Sequence, residues 1–240
     1  MAKPAVFVYI ARPDTRVRVK NLFDAGSVKA LLENPGSLRY AGWDLETRDT
    51  ARIVKGEYLE VSLGDLKTIQ LYEDGMLLAR AKADEEFLAW GSRSGEGFEK
   101  RPRMNPLALV EVAYSFVDLY RRVLEHCEPL PETCTFQVRF HNTFRSEERL
   151  YLNPYGLETV AHMTDMTRYR APDENGEIQI TVPTSVLREN APRASYLLVE
   201  RIYLWFGVPT NQIPYVSGAD LDRVVDVDTL RRGGKAAQPG

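Results

Sequence analysis

In FQVRFHNTFR (136–145), Arg139, His141 and Arg145 stand on the odd positions, while Phe136, Val138, Phe140 and Phe144 take the even ones. Alternate side chains of a strand share a face. The spacing therefore predicts two guanidinium groups and an imidazole on one side of a strand whose other side is apolar. Two arginines can hold a phosphate or carboxylate through charge-assisted hydrogen bonds, and a histidine among them can move a proton. That chemistry fits an anion-binding site or, with His141 catalytic, a small hydrolase of phosphate or carboxylate esters. An antiparallel strand with one wet face produces the same alternation with no function, and both readings stand. Asn142, on the apolar parity, marks either a bulge or a buried hydrogen bond.

Two further groups are basic. Arg16, Arg18 and Lys20 alternate in TRVRVK (15–20), and Lys100, Arg101 and Arg103 close the Gly/Ser-rich run GSRSGEGFEKRPRMN (91–105), beside Phe98. Cations interleaved with an aromatic are candidate contacts to nucleic-acid backbone and bases; the alternative is ordinary solvated charge. The net charge of −3 supplies no global attraction to a polyanion or an anionic membrane. His126, Cys127, Cys134 and His141 are all zinc-ligand types, but they lack the close pairing of C-x-x-C, and Cys127 suits the apolar side of a helix. Asp220, Asp222, Asp226 and Asp228 are spaced for Mg²⁺ or for a solvated face. No Walker-type or dinucleotide Gly loop, G-x-S-x-G or H-E-x-x-H occurs. No residue pattern names a reaction, and no metal or cofactor is expected.

The elements that must carry these residues read as α+β. AVFVYI (5–10) is a buried strand, and DAGSVKALLENPG (24–36) a short helix stopped by Asn34-Pro35-Gly36. Residues 51–83 carry turn signals at Lys55-Gly56, Gly64-Asp65 and Asp74-Gly75, predicting an antiparallel meander. DEEFLAW (84–90) reads as one or two helical turns. Asn105 and Pro106 cap and open a long helix over 106–127, whose polar positions Glu111, Ser115, Asp118, Arg122 and Glu125 make one narrow wet stripe, with Val112, Phe116 and Leu119 buried. A hairpin over 135–154 turning at Ser146-Glu147, strands at 158–163 and 177–183, and a helix over 189–207 ending at Gly207 follow. Residues 219–230 are ambiguous between helix and strand.

The division expected is a β-rich subdomain (1–90), a mobile loop (91–104), an α+β subdomain with a mixed sheet packed on the long helix (105–230), and a disordered tail (231–240). No apolar run approaches the roughly 18 residues that span a bilayer, and the start of the chain lacks signal-peptide character. With two cysteines, a reducing cytoplasmic setting is expected.

GWDLETRDTARIVKGEYLEV (42–61), TIQLYEDGMLLARAKADEEFLAWG (68–91) and NPLALVEVAYSFVDLYRRVL (105–124) together resemble the region C-terminal to a Schlafen-type AlbA-like domain in uncharacterised bacterial proteins. The resemblance implies association with a nucleic-acid-binding module. Residues 5–33 are at most a remnant of the AlbA-like domain, so no functional residue carries over. The expectation is a non-enzymatic recognition or regulatory module of a bacterial cytoplasmic system, with a protein or nucleic-acid partner and an open question of oligomeric state. The small hydrolase is the alternative.

Overall fold

Bulky β-branched and aromatic residues crowd VFVYIARP, and it forms the first strand, β1 (Val6–Pro13). The computed structural model describes residues 3–24, 26–39, 42–90, 102–145, 148–152 and 169–232. A two-residue strand β2 (Arg18–Val19) and helix α1 (Ser27–Glu33) follow, the helix stopping before Asn34-Pro35-Gly36. The meander comes next: β3 (Arg52–Val54), β4 (Tyr58–Leu63), β5 (Lys67–Tyr72) and β6 (Leu77–Lys82), each antiparallel to the next. Local backbone chemistry sets its register. Lys55 and Gly56 both have positive φ, 52° and 71°, as a type I′ turn requires. At the third hairpin, between β5 and β6, the Asp74 carboxylate accepts from the Met76 amide, and Gly75 takes the left-handed position.

After β7 (Arg103–Met104), helix α2 (Pro106–Val123) begins where Asn105 Oδ1 accepts from the amides of Leu107 and Ala108, with Pro106 in the first turn. A 3-10 turn at Leu124–His126 leads to β8 (Cys127–Glu128) and the long strand β9 (Thr133–His141). Then come β10 (Tyr151–Leu152), β11 (Gly176–Pro183), α3 (Thr184–Glu189) and α4 (Ala191–Trp205), capped by Asn190. The described chain ends with β12 (Val216–Ser217), β13 (Val224–Val225) and α5 (Val227–Arg231), with 3-10 turns before β12 and between β12 and β13. The ambiguous acidic stretch is thus a mixture of strand, turn and helix. DEEFLAW is a run of hydrogen-bonded turns, not a helix.

One antiparallel sheet of seven strands, in the order β11-β9-β1-β6-β5-β4-β3, organises the chain, and the fold is α+β. Strand β1 lies between β6 and β9, so the sheet is continuous across the two segments read on either side of 91–104. The strands beyond α2 extend the meander's sheet instead of building a mixed one. The parallel pair β7–β10 stands apart from it. The proposed strand at 158–163, the turn at Ser146-Glu147, and nearly all of the expected loop and tail lie outside the described residues.

The described helices pack on one face of this sheet. On that inner face Phe116 of α2 lies 5.6 Å from Tyr9 and 6.3 Å from Phe136, centroid to centroid. Trp205 of α4 stacks on Phe140 at 4.0 Å. Val112, Phe116 and Leu119 are fully buried, as the helical pattern requires. The wet stripe is not continuous, however. Ser115 is buried and Glu111 is 0 % exposed, because the segment after α1 crosses α2 at that level. Only from Asp118 onward does the stripe reach water.

Candidate functional site

Arg139 and His141 do share one face of β9, opposite buried Phe136, Val138 and Phe140. Arg145 does not continue that face. The strand ends at His141 because Asn142 adopts a left-handed conformation (φ 55°), with its Nδ2 donating to the Pro4 carbonyl. This resolves the oddity at Asn142 as a strand terminator with a local hydrogen bond. Beyond it, Arg145 donates to the Lys3 carbonyl at 2.7 Å, and Phe144 is half-buried under the Arg149 guanidinium. Arg139 in turn is engaged by Glu177, directly across on β11, at 3.2 Å. Three hollows are lined by other residues: about 570 Å³ around Arg121, Leu130, Thr184 and Arg188, about 550 Å³ around Arg18, Lys20 and Phe23, and about 240 Å³ around Gly36, Tyr114 and Arg122. None of these three is lined by Arg139, His141 or Arg145.

Arg16, Arg18 and Lys20 project to solvent on one side while Val17 and Val19 are buried, as their alternation predicts. Two of the three cations are matched: Arg18 to Glu73 at 2.7 Å and Lys20 to Glu128 at 2.5 Å. Arg103 lies half-buried in β7, paired in register with Tyr151. Lys100 and Arg101 lie outside the described residues. Cys127 and Cys134 are both buried free thiols; burial pushes Cys127 up to about 12 and raises Cys134 as well, leaving them poor nucleophiles at neutral pH. Asp226 is spent as the cap of α5, accepting from the Thr229 amide and hydroxyl. Among the described residues no three His, Cys, Asp or Glu side chains converge as metal ligands would.

What the sheet does present is its outer face, on which no described helix packs. The register assembles it row by row. One row runs Gln179, Gln137, Ile10, Leu78, Gln70, Glu60 and Arg52; the next runs Glu177, Arg139, Val8, Arg80, Thr68 and Ser62. Val8, Leu78, Arg80, Thr68, Gln70 and Tyr72 are each partly open to solvent. Several charges on this face meet partners within it. Arg52 bonds Glu60, which also accepts from Gln70; Tyr72 donates to Gln70 in turn. Arg80 donates to the Asp65 carbonyl, and Lys82 sits among Asp65, Asp84 and Glu86. The hydrogen bond to Glu86 leads the effects that raise the Lys82 pKa. The result is a surface of amides, hydroxyls and aliphatic groups set among paired charges.

Under the opposite end of the helical layer lies a polar cluster that the sequence pattern did not signal. Arg39 Nη2 reaches Glu111 Oε2 at 3.1 Å, and Lys67 Nζ reaches Asp44 at 3.1 Å and its carbonyl at 2.9 Å. Trp43 is held by its indole N–H on the Phe87 carbonyl, with Arg39 over its ring at 5.4 Å and Trp90 beside it at the same separation. Desolvation raises the Glu111 pKa against the opposing pull of Arg39, and it lowers that of Lys67 against Asp44. Glu111 Oε1 has no hydrogen-bond partner, and Gly42 lies directly on it, so that any Cβ there would collide with that oxygen. Among the described residues the cluster is close-packed, and it fastens 37–39 and 42–51 across α2.

No family model, no curated protein and no solved structure matches this chain. No described helix is long and apolar enough to cross a membrane.

Proposed function

We propose that this chain is a non-catalytic recognition module whose sheet face, on which no described helix packs, binds a protein partner. The observation that supports it is the matching of charge on that face. Arg139, Arg52 and Lys82 all meet carboxylates of the same face, while Gln179, Gln137, Ile10, Leu78 and Gln70 line up in one row. Nucleic-acid affinity comes chiefly from cations free to neutralise phosphates. A protein interface instead combines an apolar centre with a hydrogen-bonding rim, and this face has that composition. The Arg139/His141 pair fits the same reading as part of the rim.

The test places a photo-crosslinking residue at Leu78 and, as a control, at Arg188 on the opposite layer, in cells producing the whole chain. A protein trapped from Leu78 and lost on Gln70→Glu, but not trapped from Arg188, is the expected result. In parallel, fluorescence anisotropy with single-stranded and duplex oligonucleotides at low salt should show no binding. Salt-sensitive oligonucleotide binding abolished by Arg80→Glu would transfer the face to nucleic acid. No crosslink at Leu78 and no oligonucleotide binding would sink the reading.

A further inference from the structure

We infer that two copies of this chain pair through the outer edge of β11, joining their sheets into one and placing α4 against α4. The edge itself is the first ground. β11 is eight residues long and pairs with β9 along its whole length, and no described strand occupies its other side. Such edges are normally guarded by charge, proline, a bulge or brevity. The opposite edge of this sheet is guarded by brevity, since β3 has three residues. GEIQITVP has no guard within it. Its one charge, Glu177, is engaged by Arg139, and its proline is the last residue.

The second ground is the flank beside that edge. Trp205 of α4 faces the sheet, stacked on Phe140, and Tyr203 faces α2, donating to the Pro106 carbonyl. At 100° per residue, Leu197, Arg201 and Leu204 fall on the third side, toward the β11 edge. Leu204 is 42 % exposed, Leu197 is only partly buried, and Ile178 and Ile180 of β11 are likewise partly buried. Apolar groups thus run along the open strand and the helix above it, with the exposed Arg201 between Leu197 and Leu204.

A second copy is the occupant that these features select. Every pairing in the large sheet is antiparallel, and a strand pairing with its own copy about a two-fold axis is antiparallel by necessity. A two-fold centred near Gln179 or Ile180 sets Glu177 opposite Thr181 or Pro183, so the two Glu177 carboxylates do not meet. It also brings the Leu197–Leu204 strip of one α4 toward that of the other. Eight residues at about 3.4 Å give an edge about 27 Å long, and a strand-plus-helix flank is about 20 Å deep. The projection of roughly 540 Å², before surface roughness, is of the order of the roughly 800 Å² per partner of standard interfaces.

Sedimentation of the full chain at micromolar concentrations is expected to give twice the 27.3 kDa chain mass. Leu204→Glu, at a solvent-accessible position, should weaken the dimer by about tenfold or more with an unchanged far-UV spectrum. Amides of β11 should exchange more slowly as concentration rises. Leu78→Glu on the open face should leave the dimer intact, which separates this inference from the recognition reading. A monomer throughout the concentration range would overturn the inference. So would a dimer broken by Leu78→Glu and untouched by Leu204→Glu, since the copy would then sit on the sheet face.

Discussion

Replacing Glu111 by alanine is the sharpest probe of the buried cluster. The carboxylate is 0 % exposed, and Arg39 opposite it keeps 18 % of its side chain in water. Removing one member of a buried pair strands the other, at a typical cost of about 3–5 kcal/mol. Arg39 retains some hydration and its contact with Trp43, which places Glu111→Ala at the low end, about 3 kcal/mol. For a chain of this size that is a fall in Tm of roughly 6–12 °C, read by calorimetry or circular dichroism. The double variant Glu111→Leu/Arg39→Met replaces the pair by aliphatic groups and should recover most of the loss, because desolvation offsets much of the pair's attraction. Glu111→Gln tests the sign of the electrostatics. Burial outweighs Arg39, so the folded-state pKa of Glu111 lies above its ordinary 4.5. Its stabilising contribution is then complete below about 4.5 and is lost as pH rises through the folded pKa. Glutamine is neutral throughout, so wild type should lose stability relative to Glu111→Gln on going from that acid limit to neutral pH. Urea titrations at both pH values measure the difference. A Gln variant that instead weakens relative to wild type as pH rises would refute the argument, since it would mean that Arg39 repays the carboxylate's desolvation in full.

Two other substitutions probe the helical layer. Phe116→Ala removes a ring held between Tyr9 and Phe136 and should cost about 3–5 kcal/mol by chemical denaturation; a variant as stable as wild type would contradict the placement of α2 on the sheet. Gly176→Ala puts a methyl 2.6 Å from Trp205 Nε1, so the indole must leave its stack on Phe140; the expected readout is a red-shifted tryptophan emission with a lowered Tm, and an unchanged spectrum would argue against that packing.

Features set within a few residues were legible in the sequence. Asn105-Pro106 caps and opens α2, and Lys55-Gly56 and Asp74-Gly75 turn the meander where local backbone chemistry demands it. The burial of Phe136, Val138 and Phe140 follows from alternation alone. The α+β class follows from the two together. What alternation could not supply was the point at which the strand stops. Asn142 breaks it with a positive φ, and the parity that seemed to carry Arg145 onto the same face no longer applies. The wet stripe on α2 failed for a related reason. Helical spacing identifies Glu111 as polar among apolar neighbours, but its partner Arg39 lies 72 residues away, and nothing local distinguishes a solvated glutamate from one covered by a distant segment.

The same long-range dependence decides what the clusters of arginine and lysine on β9 and β2 meet in the fold. Antiparallel pairing sets each strand residue against one particular residue of a neighbour. Arg139 on β9 thereby meets Glu177 on β11, 38 residues on, while Arg18 meets Glu73 of the turn after β5, at a separation of 55 and outside any strand pair. A strand that reads as a basic stripe becomes, once paired, half of a matched row. Charge that is matched across strands contributes little stability when it is exposed, about 0–1 kcal/mol per pair, but it leaves fewer cations free to meet phosphate. The matched rows leave the amides and aliphatic groups of the central strands as the chemically distinctive part of the face. On the proposed reading, recognition there depends on shape and hydrogen bonding, and it should vary little with ionic strength.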